Sequence, residues 1–456
     1  MNRITWTMLL TALLAFALSS GAQRPEDSSA VTVIQGATVI DGVSSTPVKD
    51  AVIVVAGDTI RNIGKRGSIQ IPSNARTINA AGKTIMPGIL NVHGHIAMVE
   101  GFETKPVNYN RARLQRDANV YLYYGVTNML SLGMDREAMS GFKADQRSGK
   151  AGGARLYSAG LGFAAKDGWE PEGVKDINRP TTTEEARALV RKEVQKGDDV
   201  IKIWVDDDYG RLPKITPELY GAIIDEAHRN GKKVLAHLIK LEDARELVSR
   251  GLDALAHSIR DNEVDAEYIK LAKGKGVTQI ADLVGHRAAI DYAEGAPFLH
   301  DPGLPGLFPP EVLRTLATKD YQQKFANSPT LARTRREYEL AAKNMIKLAA
   351  TGVPIVVGTD SGDVGHFQGL WEHREMELMV KAGFTPMQAI QAATINGARF
   401  LGVDKKLGSL EAGKVADFIV LSADPLSDIT NSLKIDSVWM NGKQVDRNTL
   451  KSYPVG

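Results

Sequence analysis

Hydrophobic positions along this chain change period twice. From 31 to 84, apolar residues come in short runs at 31–34, 37–40, 51–56, 59–63 and 77–79, separated by Gly42, Gly57-Asp58, Gly64 and Pro72. Runs of that length bounded by turn formers predict strands, and no helical period interrupts them. From about residue 85, strand-like runs at 84–90, 126–131, 155–159, 200–205, 233–237, 254–256, 277–283 and 355–358 alternate with amphipathic stretches such as 183–196, 216–230 and 240–250. Thr182 and Thr216 read as helix N-caps, and Gly231 and Gly251 as helix stops. After a helical stretch at 386–401, strand-like runs return at 418–421 and 437–440, and Asn441-Gly442 then marks a hairpin turn. Strands alternating with crossover helices predict an α/β fold, a closed (β/α)8 TIM-like barrel over 85–405. The β-rich ends, 31–84 and 406–449, are expected to build one composite β-domain.

The connection between the seventh and eighth strands runs to roughly 70 residues, longer than one crossover helix requires. It carries a Gly/Pro-rich stretch at 295–310 and leaves from the catalytic end of a barrel, so 284–350 is expected to be a lid insertion. At the other extreme, Arg3 precedes an apolar run at 8–18 that is short for a bilayer span, and Ser20-Gly-Ala22 offers small residues for cleavage. Residues 1–22 are therefore expected to be a signal peptide and 23–30 a polar linker, giving a periplasmic or secreted protein with no stable membrane anchor after processing.

Composition narrows the chemistry. With 56 basic and 54 acidic residues there is no basic field for nucleic acid, which leaves a small molecule as the expected partner. The absence of cysteine rules out disulfides and thiolate ligands, so any metal must rest on imidazole, carboxylate or something rarer.

Candidate ligands of that kind occur. His93, His95, Lys202, His237, His257 and Asp360 each sit in or at the end of a short apolar run. A coordinating side chain at the C-terminal end of successive buried strands is what a barrel active site requires. His93 and His95 have the period-two spacing that sends both imidazoles off one face of a strand. Lys202 lies in the apolar Val-Ile-Lys-Ile-Trp, where an unpaired ammonium is disfavoured. A shifted neutral amine, a buried ion pair with the following Asp206, Asp207 or Asp208, and a lysine carboxylated by carbon dioxide all answer that problem. The last would hold two cations about 3.5–4 Å apart.

Several longer stretches carry a family resemblance: Pro87-Gly-Ile-Leu-Asn-Val-His-Gly-His95, Gly358-Thr-Asp-Ser361, Thr385-Pro-Met-Gln-Ala-Ile-Gln-Ala-Ala-Thr394 and Leu407-Gly-Ser-Leu-Glu-Ala-Gly-Lys-Val-Ala-Asp-Phe-Ile-Val-Leu421. Over nearly the whole of the expected mature chain the sequence resembles the amidohydrolase superfamily, in its imidazolonepropionase-like and prolidase-like secreted branch. The resemblance implies a distorted barrel with a composite β-sandwich. It implies two divalent ions, most simply zinc, one held by His93, His95 and Asp360 and the other by His237 and His257. Carboxylated Lys202 would bridge them, with a hydroxide between the ions. Asp360 would then take the hydroxide's proton and pass it to the departing amine. The expected activity is hydrolysis of amide bonds in dipeptides or N-acyl amino acids. Two positions depart from the family pattern. Asn91 stands where most relatives carry Asp, and an amide supplies no negative charge. His237 is followed by Leu-Ile-Lys240 rather than the His-x-x-Glu of deaminating members.

Around the mouth, His286 and Arg287 follow the seventh strand, and Arg287 is a candidate receptor for a substrate carboxylate. His366, in a Gly-rich loop after Asp360, is a further substrate-contact candidate. His228, His300 and His373 read as surface or helix-packing residues, and Asp206–Asp208 as solvated loop. Two other readings accommodate the same residues: a mononuclear hydrolase opening a cyclic amide or lactone, and a barrel that binds a metabolite without turnover.

Overall fold

The structure, a computed structural model, describes residues 31–171 and 174–454; the expected signal peptide and linker lie outside the described residues. Eight parallel strands form the barrel wall: β1 (Ile89–Gly94), β2 (Val126–Ser131), β3 (Arg155–Ser158), β4 (Val200–Trp204), β5 (Lys233–His237), β6 (Ala254–Ala256), β7 (Thr278–Ile280) and β8 (Ile355–Val356). They pair as ladders of three and five strands. Single parallel bridges span the two seams between the ladders. Phe163 pairs with Ile203 beyond β3, and Gly94 with Ser361 beyond β8. At the second seam Val92 N–H donates to Val357 O at 3.0 Å and Thr359 N–H to His93 O at 2.9 Å. The result is a distorted (β/α)8 barrel whose closing contact runs through the segment that carries His93 and Asp360.

Period-two alternation builds the barrel in layers. Val200 and Leu235 belong to one buried apolar cluster with Leu130, Ala254, Ala256, Ile280 and Val356. Two residues further along the same strands stand Lys202 and His237, both buried. Removing the apolar layer from water, at about 25 cal/mol per Å², gives the polar layer a rigid floor. Gly358 makes the closing strand possible: a Cβ there would lie 2.3 Å from Ile280 Cγ2 and 2.7 Å from His93 Cβ.

Both ends of the chain share one sheet. Its order is Lys443–Gln444, Ile435–Met440, Phe418–Leu421, Thr84–Pro87, Thr32–Val39, Val48–Ala56 and Thr59–Lys65, with Arg76–Asn79 pairing beside Thr32–Val39. The sheet folds back on itself, since Ile60 N–H donates to Lys414 O and Ala416 N–H to Asp58 O, both at 2.8 Å. It closes as a β-sandwich over Ile34, Ile53, Val55, Ile85 and Phe418. Phe418 and Trp439 stack at 5.2 Å. The predicted hairpin is present, with Asn441 at φ 51° and Gly442 at φ 71° between Met440 and Lys443.

The predicted helix caps are also in place: Thr182 accepts from Glu185 N–H and Thr216 from Leu219 N–H. The seventh strand differs from its predicted extent. It ends at Ile280, Asp282 turns the chain at φ 51°, and a helix Leu283–Ala293 begins at once, so His286 and Arg287 are helical. The cause lies on a later helix, Leu370–Ala382, from which the Glu375 carboxylate accepts the Leu283 and Val284 N–H groups at 3.0 and 2.7 Å. A buried carboxylate on the first N–H groups of a helix fixes where that helix starts. Beyond it, the expected insertion folds into the helices Pro310–Leu316, Lys319–Ala326 and Leu331–Ala350.

His373 ties three segments together. Its Nε2 donates to Tyr124 O at 2.8 Å, and its Nδ1 meets Ser432 Oγ at 2.9 Å. Burial pushes this imidazole down from 6.5 to about 4. Because the folded value lies below the unfolded one, its stabilisation is present above pH 6.5 and is lost as pH falls towards 4. His373→Gln is expected to reduce the stability lost across that window by on the order of 3 kcal/mol, read by urea unfolding at stepped pH. An unchanged pH slope would contradict this role.

Candidate metal centre

The ends of β1, β5, β6 and β8 bring four imidazoles and a carboxylate together at the barrel mouth. One ligand atom each from His93, His257 and Asp360 lie within 4.8 Å of one another. Asp360 Oδ1 is 2.9 Å from His95 Nε2 and 3.2 Å from His93 Nε2. The His257 ring is the hub, 4.9 Å from the ring of His93, 4.6 Å from His237 and 5.5 Å from His286. His237 is stacked on Trp169 at 4.9 Å. Asp360 is the accessible member, its side chain 28% exposed against 1% for His93.

Asp282, at the turn that ends the seventh strand, organises this group. It is fully buried, its Oδ2 accepts the backbone N–H of His257 at 3.0 Å and shares a 2.7 Å hydrogen bond with His93 Nδ1, and burial and the charge of Asp360 push its carboxyl well above the ordinary range. With the proton on Nδ1, His93 Nε2 carries its lone pair towards Asp360. Two electron-pair donors then face each other at 3.2 Å, an arrangement that suits an intervening cation. Among the described residues, Nδ1 of His95, Nδ1 of His257 and Oδ1 of Asp282 are buried without a hydrogen-bond partner. The donor set therefore fits a divalent metal: neutral imidazoles and a carboxylate whose partners are one another.

The electrostatics agree. Burial, then the charge of Lys202, push His93 well below the ordinary histidine value; burial and His237 do the same to His257. Burial lowers His237 to about 4 although Asp206 opposes it. Desolvation pushes Asp360 up, but His93 and the hydrogen bond from His95 pull it further down, and it stays ionised. His257, Asp282 and Asp360 all hold positive φ, at 80°, 51° and 53°. Strain of order 1–3 kcal/mol per residue at such positions persists only where the surroundings enforce it, and it concentrates at functional sites.

Lys202 is 1% exposed and forms no ion pair among the described residues; its Nζ lies 5.6 Å from the Trp204 ring centroid, and burial lowers its amine to about 8 although Asp360 and Asp282 oppose it. Asp206 is not solvated loop. It is 8% exposed and accepts from His237 Nε2 at 2.8 Å, while Asp207 pairs with Lys240 at 2.6 Å. Arg287 is turned to its own helix, bonded to Asp291 at 2.7 Å and Glu294 at 2.5 Å, an engagement that leaves it no free fork for a substrate carboxylate. His286 does face the centre, with its Nε2 buried and unpartnered. His366 lies against Trp371 at 4.3 Å, with Nδ1 3.4 Å from the Asp360 carbonyl.

Asn91 has a buried carboxyl partner. Its amide donates to Glu372 Oε1 at 2.5 Å, and the same oxygen accepts from the Thr359 and Ser361 hydroxyls at 2.9 and 3.1 Å. The carboxylate that an acidic residue at 91 would have supplied stands instead on the helix Leu370–Ala382, clamping both neighbours of Asp360. Burial raises Glu372 to about 7 against these hydrogen bonds.

The amidohydrolase family's sequence profile matches residues 84–445, and the chain belongs to that family. Ochratoxinase from Aspergillus niger is 26% identical over 91% of this chain and 87% of its own length. The 5-methylthioadenosine/S-adenosylhomocysteine deaminase of Moorella thermoacetica is 23% identical over 90% of this chain and 93% of its own. Among solved structures, a Xaa-Pro dipeptidase with bound methionine superposes with a TM-score of 0.72 at 24% identity, over 91% of this chain and 100% of that one.

Asn91→Asp would set two buried carboxyls against each other. It is expected to lower stability by about 3 kcal/mol, with the loss growing as pH rises and the shared proton leaves. Adding Glu372→Gln should recover most of it. Chemical denaturation of both variants checks this, and equal stability of Asn91→Asp and the parent would show that Glu372 does not act as the displaced acid.

Proposed function

We propose that this chain is an exported, binuclear metal-dependent hydrolase that cleaves amide bonds of dipeptides or N-acyl amino acids. Family membership gives the coarser statement outright: the protein is a hydrolase acting on carbon–nitrogen bonds. The observation that carries the finer one is the facing of His93 Nε2 and Asp360 Oδ1 at 3.2 Å within a ring of imidazoles held neutral by burial. Bound divalent ions would make water a nucleophile at neutral pH and polarise the substrate carbonyl. In this reading His93, His95 and Asp360 would hold one ion, and His257 and His237 the second. Lys202 is buried with no direct ion pair among the described residues, and burial lowers its amine to about 8 although Asp360 and Asp282 oppose it; carboxylation to a carbamate would replace that desolvated ammonium with an anion able to serve both ions. Zinc is the simplest occupant of such a set.

The chain's own groups supply the rest. Asp360 projects to the open side, where it can accept a proton from water and return it to the departing nitrogen. His286 Nε2, unpartnered beside His257, is placed to hydrogen-bond the carbonyl oxygen. The bond broken is the amide C–N; water's oxygen goes to the acyl carbon and a proton to the amine. The helices at 310–350 are proposed as the lid, since Glu337 bonds Tyr209 of the loop after β4 at 2.9 Å. Export rests on the N-terminal segment of the sequence. The names of the Xaa-Pro dipeptidase and of ochratoxinase are compatible with a small amide substrate. Lys240, paired with Asp207, stands where a deaminase of this kind would carry Glu. One observation favours a mononuclear alternative acting on a cyclic amide or lactone: His237 Nε2 is taken by Asp206, and the closest ligand trio excludes it.

Zinc-loaded protein is expected to hydrolyse members of a panel of dipeptides and N-acetyl amino acids, and a chelator to abolish turnover. Asp360→Asn should lower kcat by about 10²–10⁴-fold. Turnover confined to cyclic amides or lactones would favour the mononuclear reading, and none on any substrate would favour a binding protein. Isotopically labelled bicarbonate should give a carbamate resonance in the parent that is missing from Lys202→Ala; its absence from both would remove the bridge.

A further inference from the structure

Arg260 is three residues past His257 and is 9% exposed. Its Nη1 donates to Leu238 O at 3.1 Å, the carbonyl that directly follows His237. The guanidinium is thus pinned between the ends of β5 and β6, the strands that carry two of the four clustered imidazoles. His237 pairs in register with Ala256, so the two strand ends are level and the arginine lies just above them. A guanidinium has five N–H donors, and this one uses a single interaction among the described residues.

The acids nearest to it are engaged elsewhere. Asp206 is bonded to His237, Glu337 to the Tyr209 hydroxyl, and Asp360 to His95. None forms an ion pair with Arg260, although Tyr209, Glu337, Asp206 and Asp360 are all close enough to act on its charge. His286, the unpartnered imidazole of the mouth, feels the same guanidinium. A cation this deeply buried, permanently protonated and without a counter-ion is strongly disfavoured unless an anion arrives to complete it. Neutral solvent does not meet that need. A planar carboxylate does, through two parallel hydrogen bonds.

We infer that Arg260 receives a carboxylate of the substrate, and that the enzyme therefore selects amides whose amine half carries a free carboxylate. This inference rests on the hydrolase reading above and deepens it. It moves the recognition role from Arg287, which is tied into its own helix, to an arginine between the metal-ligand strands. The guanidinium is a binding group: it orients the amine half so that the scissile carbonyl meets the centre and the nitrogen meets Asp360, and it forms and breaks no covalent bond itself.

The test compares N-acetyl amino acids with their carboxamides, following acetate release, in the parent, Arg260→Met and Arg260→Lys. In the parent the free acids should have a kcat/KM about 10- to 100-fold above the carboxamides. Arg260→Met should collapse that ratio towards unity through KM for the acid, and Arg260→Lys should retain part of it. Equal losses on acid and carboxamide, with the ratio unchanged, would make Arg260 a structural tie to Leu238 and overturn the inference. A calorimetric arm needs no turnover: the same N-acetyl amino acids should bind the parent more tightly than their carboxamides, and Arg260→Met should lose that preference. Should nothing be hydrolysed yet this preference appear, the hydrolase reading fails while the carboxylate site stands. Hydrolysis without any acid preference would have the opposite meaning.

Discussion

The 2.7 Å hydrogen bond between His93 Nδ1 and Asp282 Oδ2, sealed from water, decides which nitrogen of His93 faces the barrel mouth. Imidazole has one donor and one acceptor nitrogen when neutral, so fixing one fixes the other. The same carboxylate oxygen accepts the His257 N–H, so β1 and β6 are registered to one atom at the end of β7. Were that tie absent, His93 could turn its proton towards Asp360 and satisfy it internally, and the cluster would become a closed hydrogen-bond network. With the proton held on Nδ1, the His93 Nε2 lone pair faces Asp360, an arrangement that a cation would satisfy.

The surrounding structure serves that tie. Glu375 starts the helix at Leu283 and so forces the turn at Asp282. Glu372 grips Thr359 and Ser361, leaving Asp360 between two fixed neighbours in a left-handed conformation. Both glutamates come from the helix Leu370–Ala382, which His373 anchors at its other face. One helix outside the barrel therefore sets the geometry of three strand ends inside it. Glu372, Glu375 and Asp282 stand behind the ligands, while Asp360 and the imidazoles held neutral by burial face the mouth.

Much of this was legible in the residues. Period-two runs ending in His or Asp gave the barrel and its polar layer, because burial of an apolar floor and exposure of strand ends follow directly from alternation. Asn441-Gly442 and the Thr182 and Thr216 caps were readable for equally local reasons. Asp282 obeys the same rule, a polar residue closing an apolar run, but a seventh strand extended to 283 hides it one residue inside the strand end. The true end is set by Glu375, 93 positions later, which no local pattern announces. Asp206 was read as solvated because three successive aspartates look like loop, yet its environment is fixed by His237 on the next strand. Arg287 follows a predicted strand end and so reads as a carboxylate receptor, but helix formation at Leu283 turns it into ion pairs with Asp291 and Glu294; the strand pattern alone does not single out Arg260.

The most direct test of the account is the number of divalent ions retained by protein that has been stripped with chelator, reloaded and desalted. It predicts about two ions per chain in the parent, and a marked loss when Asp282→Asn weakens the hold on His93. A parent that retains no ion while remaining folded would contradict the claim that these lone pairs converge on a metal.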